Sequence, residues 1–424
     1  MQKYNCDLHY HSPYAAACSK DISLPILAKE ASIKGLNLLT TADILHPVWL
    51  EHVKENLVEE EGSFRYKEEI NGKKIYFLLG TEVETEKRIH HLLFFKDFKT
   101  IENFKEDIKE DCQDMSVYGS GRTKLKMNAE KLLSICIKNK ILIGPAHIFT
   151  PYFGVFGHFN SLKEAYGKEW EYIKFVELGL SADTSLANTV PDLKNIKFFS
   201  FSDSHSPKSY RIGREYVSML LEKPNFESLK DLLENKKGEI IYNIGYNPQE
   251  GKYNHTACRK CSQLYNLKQA EENKWRCFVC RGIIKKGVKD RILEISIIQK
   301  NKELKQITKR PEYKYLIPLA QVIQIAINEK DINNKKVIGI YEKFIQKYTE
   351  IEIMQEISEK ELEKIDKNIS KYIISFRKDL VVFKPGGAGH YGVPFICFSE
   401  KEKLEKQKEI EENSFFKSNQ KKLF

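Results

Sequence analysis

Four short segments of the chain place metal-binding side chains at the end of an apolar, strand-like run. They are DLHYH (residues 7–11), TE (81–82), PAH (145–147) and SDSH (202–205). Neutral imidazoles and carboxylates in one site suit zinc, manganese or iron, ions that activate water and neutralise phosphoryl oxygens. One such segment is a weak signal, but four of them together predict a multinuclear metal centre.

The spacing within the segments favours a shared site. His9 and His11 lie two residues apart on a strand, so both rings project from one face, and Asp203 and His205 repeat this spacing. Glu82 follows an apolar run, where a carboxylate is costly to bury unless it is paired or bound to a metal. The alternatives are a buried histidine pair bonded to backbone carbonyls and, for Glu82, a salt bridge at a barrel rim.

Two further positions are ambiguous from the sequence alone. His90 and His91 adjoin on a predicted strand and face opposite sides, so only one of them can face the centre. Asp43 closes another predicted strand, and the alternative there is a cap of a helix or turn.

The elements that must position these residues alternate between strand-like and helix-like runs over residues 1–245. Clear helices are predicted at Leu24–Lys34, with Pro25 in the first turn and Gly35 after the end, and at Ala129–Lys138. Strands are predicted at residues 4–9, 36–41, 74–81, 91–95, 141–145, 173–177 and 196–201. About seven strands with helical connections predict an α/β fold of the βα-barrel type, which carries its chemistry at the C-terminal ends of the strands.

The remainder of the chain predicts three further units. A polar linker separates the barrel, residues 1–248, from a cysteine-rich module at residues 253–287. Residues 288–398 are mostly helical by pattern and contain a Gly-rich loop, and residues 399–424 form a charge-mixed tail.

Composition and charge fit a globular protein of a reducing compartment. The 424 residues are 41% hydrophobic and 30% charged, and the net charge of +10 weakly favours a polyanionic partner. No secretory signal is evident, and the longest stretch without a charged residue, 141–162, contains Pro, Gly and His, so it predicts a strand and loop rather than a membrane span. We therefore expect a cytoplasmic, nucleoid-associated monomer with no membrane partner.

The cysteine-rich module carries two CxxC pairs. Cys258 and Cys261 are separated by fifteen residues from Cys277 and Cys280, the ligand spacing of a structural four-thiolate zinc ribbon. Basic and aromatic neighbours such as Arg276 suit contacts with a phosphate backbone. The alternative is that these charged side chains are simply exposed to solvent beside a zinc site that only stabilises the fold.

Other residues could contact a nucleic acid. Tyr152, Phe153 and Phe156 follow a ligand-bearing strand and could sandwich an extruded base, or could simply pack in a barrel loop. Lys20, in the first ligand loop, could contact a scissile phosphate or be an ordinary surface lysine. The Gly-rich loop contains Gly387 and ends near Tyr391, and could approach a phosphate or base closely or form a plain turn.

The last five residues end in a short motif. Gln420 is followed after two residues by Leu423 and Phe424, which is similar to the peptide by which bacterial DNA enzymes dock on the sliding clamp. The alternative is an arbitrary tail, since short motifs arise by chance.

The N-terminal motifs resemble the PHP superfamily of metal-dependent phosphoesterases, over about the first 240 residues. The resemblance implies a distorted (βα)7 barrel with a trinuclear site. It implies three ligand sets: His9, His11, Glu82 and Asp203 for one metal; Glu82, His91 and His147 for a second; and His205 with Asp43 for a third. The chain departs from the common pattern at Ala17 and Ile44, where many members have histidine, and these departures concern the third metal.

The departures are shared with one branch, the endonuclease Q family. HYHS (9–12), TAD (41–43), GPAH (144–147) and ELGLSAD (177–183) resemble its motifs, and the similarity continues through the cysteine module to the Gly-rich loop. The resemblance implies a DNA-repair endonuclease that hydrolyses the phosphodiester 5′ of hypoxanthine, uracil, xanthine or an abasic site in double-stranded DNA, leaving 3′-hydroxyl and 5′-phosphate ends. Catalytic roles are then implied for His9, His11, Lys20, Glu82 and Asp203.

The implied cofactors are Zn²⁺ at the cysteine module and the PHP cluster, with Mg²⁺ or Mn²⁺ as the other candidates at the catalytic site. Three rival interpretations stay open. They are a small-molecule PHP phosphatase, a 3′→5′ exonuclease on the same barrel, and a non-catalytic DNA-binding adaptor. The zinc module and the nearly complete ligand set argue against the first and the last.

Overall fold

The computed structural model of the protein describes residues 1–112, 115 and 123–414. In its N-terminal part the strands are β1 (Gln2–Asp7), β2 (Leu38–Thr40), β3 (Leu57–Glu60), β4 (Ser63–Tyr66), β5 (Tyr76–Glu84), β6 (His90–Phe95), β7 (Thr123–Lys124), β8 (Leu142–Pro145), β9 (Phe175–Glu177), β10 (Lys197–Phe199), β11 (Tyr216–Leu221) and β12 (Glu239–Gly245). The helices are α1 (Leu24–Lys34), α2 (Pro47–Asn56), α3 (Phe98–Asp107), α4 (Ala129–Lys138), α5 (Leu162–Tyr166), α6 (Thr184–Ala187) and α7 (Phe226–Leu233).

The C-terminal part is mostly helical, as predicted. Its elements are β13 (Ala257–Cys258), α8 (Leu267–Glu272), β14 (Ile284–Lys285), α9 (Val288–Ile298), β15 (Glu312–Tyr315), α10 (Leu319–Ala326), α11 (Lys335–Ile345), α12 (Glu350–Gln355), α13 (Glu359–Glu363), α14 (Lys367–Arg377), β16 (Val381–Lys384), β17 (Val393–Ile396) and α15 (Glu400–Ser414). Over the described ranges, no helix combines the length and apolar character that a membrane crossing requires.

Local signals in the sequence account for the two clearest helices. α1 has Pro25 in its first turn and ends at Gly35, whose φ of +96° is the left-handed conformation that glycine tolerates. α4 begins after Asn128, whose side chain accepts a hydrogen bond from the Lys131 backbone N–H. Both helices have the predicted boundaries.

The principal sheet is mixed rather than purely parallel. Its strand order is β15-β12-β11-β1-β2-β5-β4-β3, with β6 and β7 attached to β5 and β8 attached to β6. β1, β2 and β5 are parallel neighbours, so their C-terminal ends meet at one edge, whereas β6 runs antiparallel to β5. The mixed α/β class is confirmed.

A closed seven-stranded barrel is not confirmed. Among the described residues the ladders join β9 and β10 only to each other, in a separate parallel pair. Isolated contacts connect this pair to the rest: the Ile148 N–H donates to the Glu177 carbonyl, and a bridge joins Tyr10 to Ser204. These contacts bring the ends of β1, β8 and β9 together around one site.

The apolar core continues from the sheet into the C-terminal helices. One buried cluster includes Leu27 and Ala31 of α1 together with Ile351 of α12 and Phe344 of α11. β15 adds a parallel strand to β12 at the edge of the principal sheet. The C-terminal helices therefore share a core with the N-terminal part instead of folding around a core of their own.

Candidate metal centre

Three groups of His, Asp and Glu side chains meet at the edge where β1, β5 and the segments after β8 and β10 converge. Within each group the ligand atoms lie within 4.8 Å of one another. The groups are His9, His11 and Glu82; His11, Asp203 and His205; and Glu82, His90 and His147. Because His11 and Glu82 each belong to two groups, the arrangement suits neighbouring metal ions that share ligands.

Distances within the centre are those of side chains converging on common points. His11 Nε2 lies 3.2 Å from Asp203 Oδ1 and 3.5 Å from Glu82 Oε2. His147 Nε2 lies 3.3 Å from Glu82 Oε1. His9, His11 and Glu82 are at most 2% exposed, so the polar atoms gathered there are removed from water.

Carboxylates behind the histidines fix the direction of their lone pairs. His9 Nδ1 lies 2.9 Å from Glu177 Oε2, and His11 Nδ1 lies 3.3 Å from Asp43 Oδ1. Each Nδ1–H can donate to its carboxylate, which leaves the Nε2 lone pair directed into the centre, the usual arrangement for a metal-bound histidine. His9 Nε2 and Glu177 Oε1 are buried and have no hydrogen-bond partner, which fits a place for a cation.

The electrostatics also favour a cation. Burial opposes protonation of His9, but Glu177, Asp203 and Glu82 outweigh it and raise its pKa to about 9. Burial likewise opposes ionisation of Asp203, yet His9 and His11 hold its pKa well below the usual value. The carboxylates thus stabilise positive charge in the centre. Protons on the histidines provide this charge without a metal, and a bound metal ion would replace those protons.

Strand register corrects the predicted ligand His91. β6 pairs antiparallel with β5 so that His90 is opposite Glu84, and His91 is opposite Val83. Alternation along the strands then places His90 on the face of Glu82, with His90 Nδ1 3.0 Å from Glu82 Oε1. His91 faces away, 2.9 Å from Thr85 Oγ1 and from Tyr166 OH, and burial lowers its pKa to about 3.

Asp43 also departs from its predicted role. It belongs to none of the three groups found among the described residues; its two oxygens accept from His11 and from the Ser12 backbone N–H, the latter at 2.7 Å. In the structure Asp43 lies behind the His11 ring, at its Nδ1 atom, and not in one of the three ligand groups found among the described residues.

Two acidic residues at the centre were missed by the sequence interpretation. Glu177 ends β9 and Glu84 ends β5, where its Oε2 lies 3.3 Å from His90 Nε2. The signal was available for Glu177, because it closes a short apolar strand in the same way as Glu82 closes an apolar run.

Several residues of the centre have left-handed backbone conformations. The φ angles are +45° at Asp203, +27° at His147 and +24° at Asp43. Non-glycine residues adopt this region rarely and at a cost, and they concentrate at functional sites. Gly179 packs directly against His147. A side chain at position 179 would not fit, because an added Cβ would lie 2.8 Å from His147 Cβ.

A cleft of about 530 Å³ opens beside the centre. Asp203, His205, His90 and His147 form part of its wall. The wall also contains cationic and aromatic side chains, namely Arg211, Arg214, Lys252, Phe153, Tyr253 and Tyr391. Arg214 donates its Nε–H to the Ser202 carbonyl, at 2.9 Å. The cleft therefore offers positive charge and ring faces next to the candidate metal positions.

A second, smaller chamber of about 210 Å³ adjoins the cleft and shares Arg211, Arg214, Leu180 and Tyr391 with it. Its wall includes Glu250, which is 6% exposed and whose Oε1 has no hydrogen-bond partner. Burial raises the pKa of Glu250 to about 8. The other carboxylate oxygen accepts from Gln321 Nε2 at 3.2 Å.

The aromatic residues predicted at the cleft divide into two kinds. Phe153 lines the cleft and stacks on His90, with ring centroids 4.8 Å apart. Tyr152 is exposed beside Lys285. Phe156 is fully buried and stacks on Phe149, so its prediction as a base contact is wrong and it belongs to the core.

Two further predicted contacts lie elsewhere. Lys20 Nζ donates to the Pro13 carbonyl at 2.7 Å, and the residue does not line the cleft. Gly387 packs closely against the protein, where a Cβ would lie 2.6 Å from the His255 carbonyl oxygen, and it does not line the cleft. Tyr391, from the same loop, does line both cavities.

The cysteine module gathers its four thiols as predicted. The ligand atoms of Cys258, Cys261, Cys277 and Cys280 all lie within 4.8 Å of one another. Arg276 is exposed on the module. The tail residues Gln420, Leu423 and Phe424 lie outside the described residues, and their role in clamp docking stays a prediction.

Known proteins resemble the chain along most of its length. The solved structure of the lesion-specific endonuclease PfuEndoQ from Pyrococcus furiosus matches with a TM-score of 0.85 and 35% identity, over 93% of this chain and 96% of that one. The structure of endonuclease Q with a 27-mer duplex carrying an abasic lesion at the active site matches with a TM-score of 0.84 and 34% identity, over 94% and 98%.

Two sequence matches add to this. The family model of the MJ0043 C-terminal domain matches residues 318–380. The uncharacterized protein MJ0043 of Methanocaldococcus jannaschii is 39% identical over 250 residues, which are 58% of this chain but only 31% of that protein. Because the similarity to PfuEndoQ exceeds 30% identity and spans nearly both whole chains, the chain belongs to the endonuclease Q family.

Proposed function

We propose that this protein is a metal-dependent endonuclease that hydrolyses a phosphodiester bond of double-stranded DNA on the 5′ side of a lesion, leaving 3′-hydroxyl and 5′-phosphate ends. The observation that carries the proposal is the position of the three ligand groups, in the wall of a cleft that is also lined by Arg211, Arg214 and Lys252. PfuEndoQ is a lesion-specific endonuclease, and endonuclease Q holds an abasic lesion at its active site.

His9, His11, Glu82, His90, His147, Asp203 and His205 would hold the catalytic metal ions, and Glu177 Oε1 offers a further ligand atom. Bound ions would activate water and neutralise charge on the scissile phosphate, and zinc, manganese or magnesium suits this chemistry. Glu177, Glu84 and Asp43 keep the histidine rings in place.

The cleft cations would bind the DNA backbone. Arg211, Arg214 and Lys252 line the same wall as Asp203, so phosphates next to the scissile one would meet guanidinium and ammonium groups. Phe153 and Tyr391 present rings beside them, which suits a nucleotide that has left the stack.

The adjoining chamber supports a preference for hypoxanthine over adenine and for uracil over cytosine. Glu250 Oε1 is a buried acceptor without a donor, and hypoxanthine and uracil carry a ring N–H where adenine and cytosine carry a lone pair. An extruded hypoxanthine or uracil would satisfy this acceptor, whereas adenine or cytosine would face it with a second acceptor.

The cysteine module would bind structural zinc and add to the DNA interface. Four converging thiols and no open position fit a closed zinc site. Residues 253–287 contain eight Lys or Arg and two Glu, a net charge of +6, which favours a polyanionic backbone.

Nicking of labelled duplexes tests the proposal. One strand carries a single deoxyinosine, deoxyuridine or abasic site, and the control duplex carries none; each is incubated with Mg²⁺, Mn²⁺ or Zn²⁺. We expect one internal cut 5′ of the lesion and none in the control, and Asp203→Asn should abolish cutting while the duplex still binds. Equal cutting of all duplexes, or trimming from the ends alone, would refute a lesion-specific endonuclease.

A further inference from the structure

The segment that joins β10 to β11 carries functional groups of both the metal centre and the cleft. Residues 202–214, here the ligand loop, include Asp203 and His205 of one ligand group and the cleft residues Arg211 and Arg214. With no helix or strand within it, the loop depends on contacts from outside to hold these four side chains in position.

The N-terminal part holds the loop at both ends. The Ser202 N–H donates to Asp7 Oδ1 at 3.0 Å, and the Gly213 N–H donates to Asp7 Oδ2 at 2.7 Å. Near its middle, the Ser209 N–H donates to Glu30 Oε2 of α1 at 2.8 Å. One carboxylate thus closes the loop, and a second fixes its backbone from the side.

The C-terminal helices provide the remaining anchor through Tyr341 of α11. Its hydroxyl oxygen lies 2.8 Å from Ser209 Oγ and 2.7 Å from Glu350 Oε2. Because a carboxylate can only accept, Tyr341 donates to Glu350 and accepts from the Ser209 hydroxyl. The Tyr341 ring also meets the ring of Tyr210 edge to face, with centroids 5.8 Å apart.

The buried carboxylate of Glu350 accepts hydrogen bonds from three donors. Besides Tyr341, it accepts from Lys34 Nζ at 2.7 Å and from the Leu319 N–H at 3.0 Å. Lys34 and Glu350 are 0% exposed. A buried polar group of this kind is costly to leave unsatisfied, so the hydroxyl of Tyr341 is confined to one position.

We propose that Tyr341 is a positioning residue for the reaction. Through Ser209 it holds the ligand loop where Asp203 and His205 reach the metal positions and Arg211 and Arg214 reach the cleft. The helical region matched by the family model, residues 318–380, is thereby a part of the catalytic apparatus. The inference rests on the proposed function for its activity readout alone, since metal binding can be measured without cleavage.

The test compares Tyr341→Phe with Tyr348→Phe, which removes the same group from a tyrosine whose hydroxyl lies 3.5 Å from Glu361. Tyr341→Phe removes two buried hydrogen bonds, so the thermal midpoint should fall modestly while the chain stays folded, whereas small displacements of catalytic groups reduce rates strongly. For Tyr341→Phe we expect kcat to fall by about tenfold or more and KM for lesion duplex to rise by a smaller factor, because Arg211 and Arg214 share the displaced loop whereas Lys252 does not. Tyr348→Phe should match wild type.

Two further measurements distinguish positioning from general damage. Mn²⁺ binding followed by electron paramagnetic resonance should weaken in Tyr341→Phe and not in Tyr348→Phe. In a double-mutant cycle, Tyr341→Phe combined with Ser209→Ala should be no slower than the worse single variant, because both break the same hydrogen bond between Tyr341 and Ser209.

Either of two results would overturn the inference: unchanged kcat and Mn²⁺ binding in Tyr341→Phe, or additive losses in the cycle. Wild-type protein that binds Mn²⁺ but cuts no lesion duplex would instead count against the proposed function, and the Mn²⁺ comparison would still decide the role of Tyr341.

Discussion

Three acidic residues lie behind histidine rings of the candidate metal centre and orient these rings. Glu177, Glu84 and Asp43 each accept from a histidine ring that faces the centre. A carboxylate behind the ring fixes the tautomer and raises the basicity of the ligand nitrogen, and such partners contribute strongly to metal affinity.

Asp43→Asn tests this at one position. Asp43 accepts from both His11 Nδ1 and the Ser12 N–H, and an amide has only one oxygen to offer. We expect Mn²⁺ affinity to fall by about 10- to 100-fold in titrations followed by electron paramagnetic resonance. Asp97→Asn, which keeps the N-cap of α3, is the control and should bind Mn²⁺ as wild type does. Equal affinities in the two variants would contradict the orienting role.

Glu250→Gln tests the reading of the base. To go on accepting from Gln321 Nε2, the amide oxygen must take the place of Oε2, which leaves the NH2 group facing the chamber, so the preference for a ring N–H should be lost. We expect cutting at hypoxanthine to fall by about tenfold, the order of one hydrogen bond, while cutting at an abasic site, which has no base, stays unchanged. Loss of both activities would mean that Glu250 acts on the centre or the fold and not on the base.

The same carboxylate makes stability depend on pH. Burial raises the pKa of Glu250 to about 8, and that of Glu215 to about 8 as well, from a usual 4.5. Between these pH values the two carboxyls bind protons in the folded chain and have lost them in the unfolded chain, so their contribution to the free energy of unfolding falls as the pH rises from 4.5 to 8.

Glu250→Gln removes one of these two groups. Its free energy of unfolding should equal or fall below that of wild type near pH 4.5 and exceed it by about 2–4 kcal/mol at pH 8.5, as measured by urea unfolding. A difference that is independent of pH would show that the carboxyl is not neutral in the folded protein.

At the scale of elements, the ligand residues could be predicted from the sequence except where their position depends on the direction and register of strand pairing. The segments bearing His9, Glu82, His147 and Asp203 were found because each closes an apolar run, and these side chains do converge. His91 was named as a ligand from the family resemblance, because two adjacent histidines alone do not show which of them faces the centre; the antiparallel β5–β6 register places His90 there instead.

Elements built from weak local signals were also missed. β15 is a four-residue strand of alternating charged and tyrosine residues, and it exists because β12 offers a free edge in the principal sheet. The ends of α1 are marked by Pro25 and Gly35, and α4 has an N-cap at Asn128 and an apolar stripe, which is why their boundaries were predictable.

The cysteine module is an element with its own small core, which includes Tyr265 and Ala270 beside the thiols. Cys258→Ser removes one ligand, so we expect the purified chain to carry about one zinc fewer by elemental analysis, because a structural site of this kind needs all four thiolates. Duplex affinity should weaken with it, since the basic residues lose their fixed arrangement. Cys112→Ser, outside the module, should change neither quantity.

At the scale of the whole molecule, an apolar core and a buried ion pair join the N-terminal part of the chain to the C-terminal helices. Lys34 of α1 and Glu350 of α12 lie 316 residues apart and make a 2.7 Å contact in the interior. The apolar cluster around them includes side chains of α1, α11 and α12. Because both parts of the chain contribute to this cluster, we expect them to unfold together rather than as independent domains.

Glu350→Ala tests whether the two parts of the chain unfold as one cooperative unit. It leaves the Lys34 ammonium buried without its partner, which typically costs about 3–5 kcal/mol. If the two parts form one cooperative unit, amide hydrogens of β1 and of α10 should lose the same protection in hydrogen exchange, since both then exchange through the same global opening. Loss confined to α10–α14 would show instead that the helical region opens by itself. The ligand loop would then lose its anchor at Tyr341 without unfolding of the sheet, and cutting would fail at denaturant concentrations below the unfolding transition.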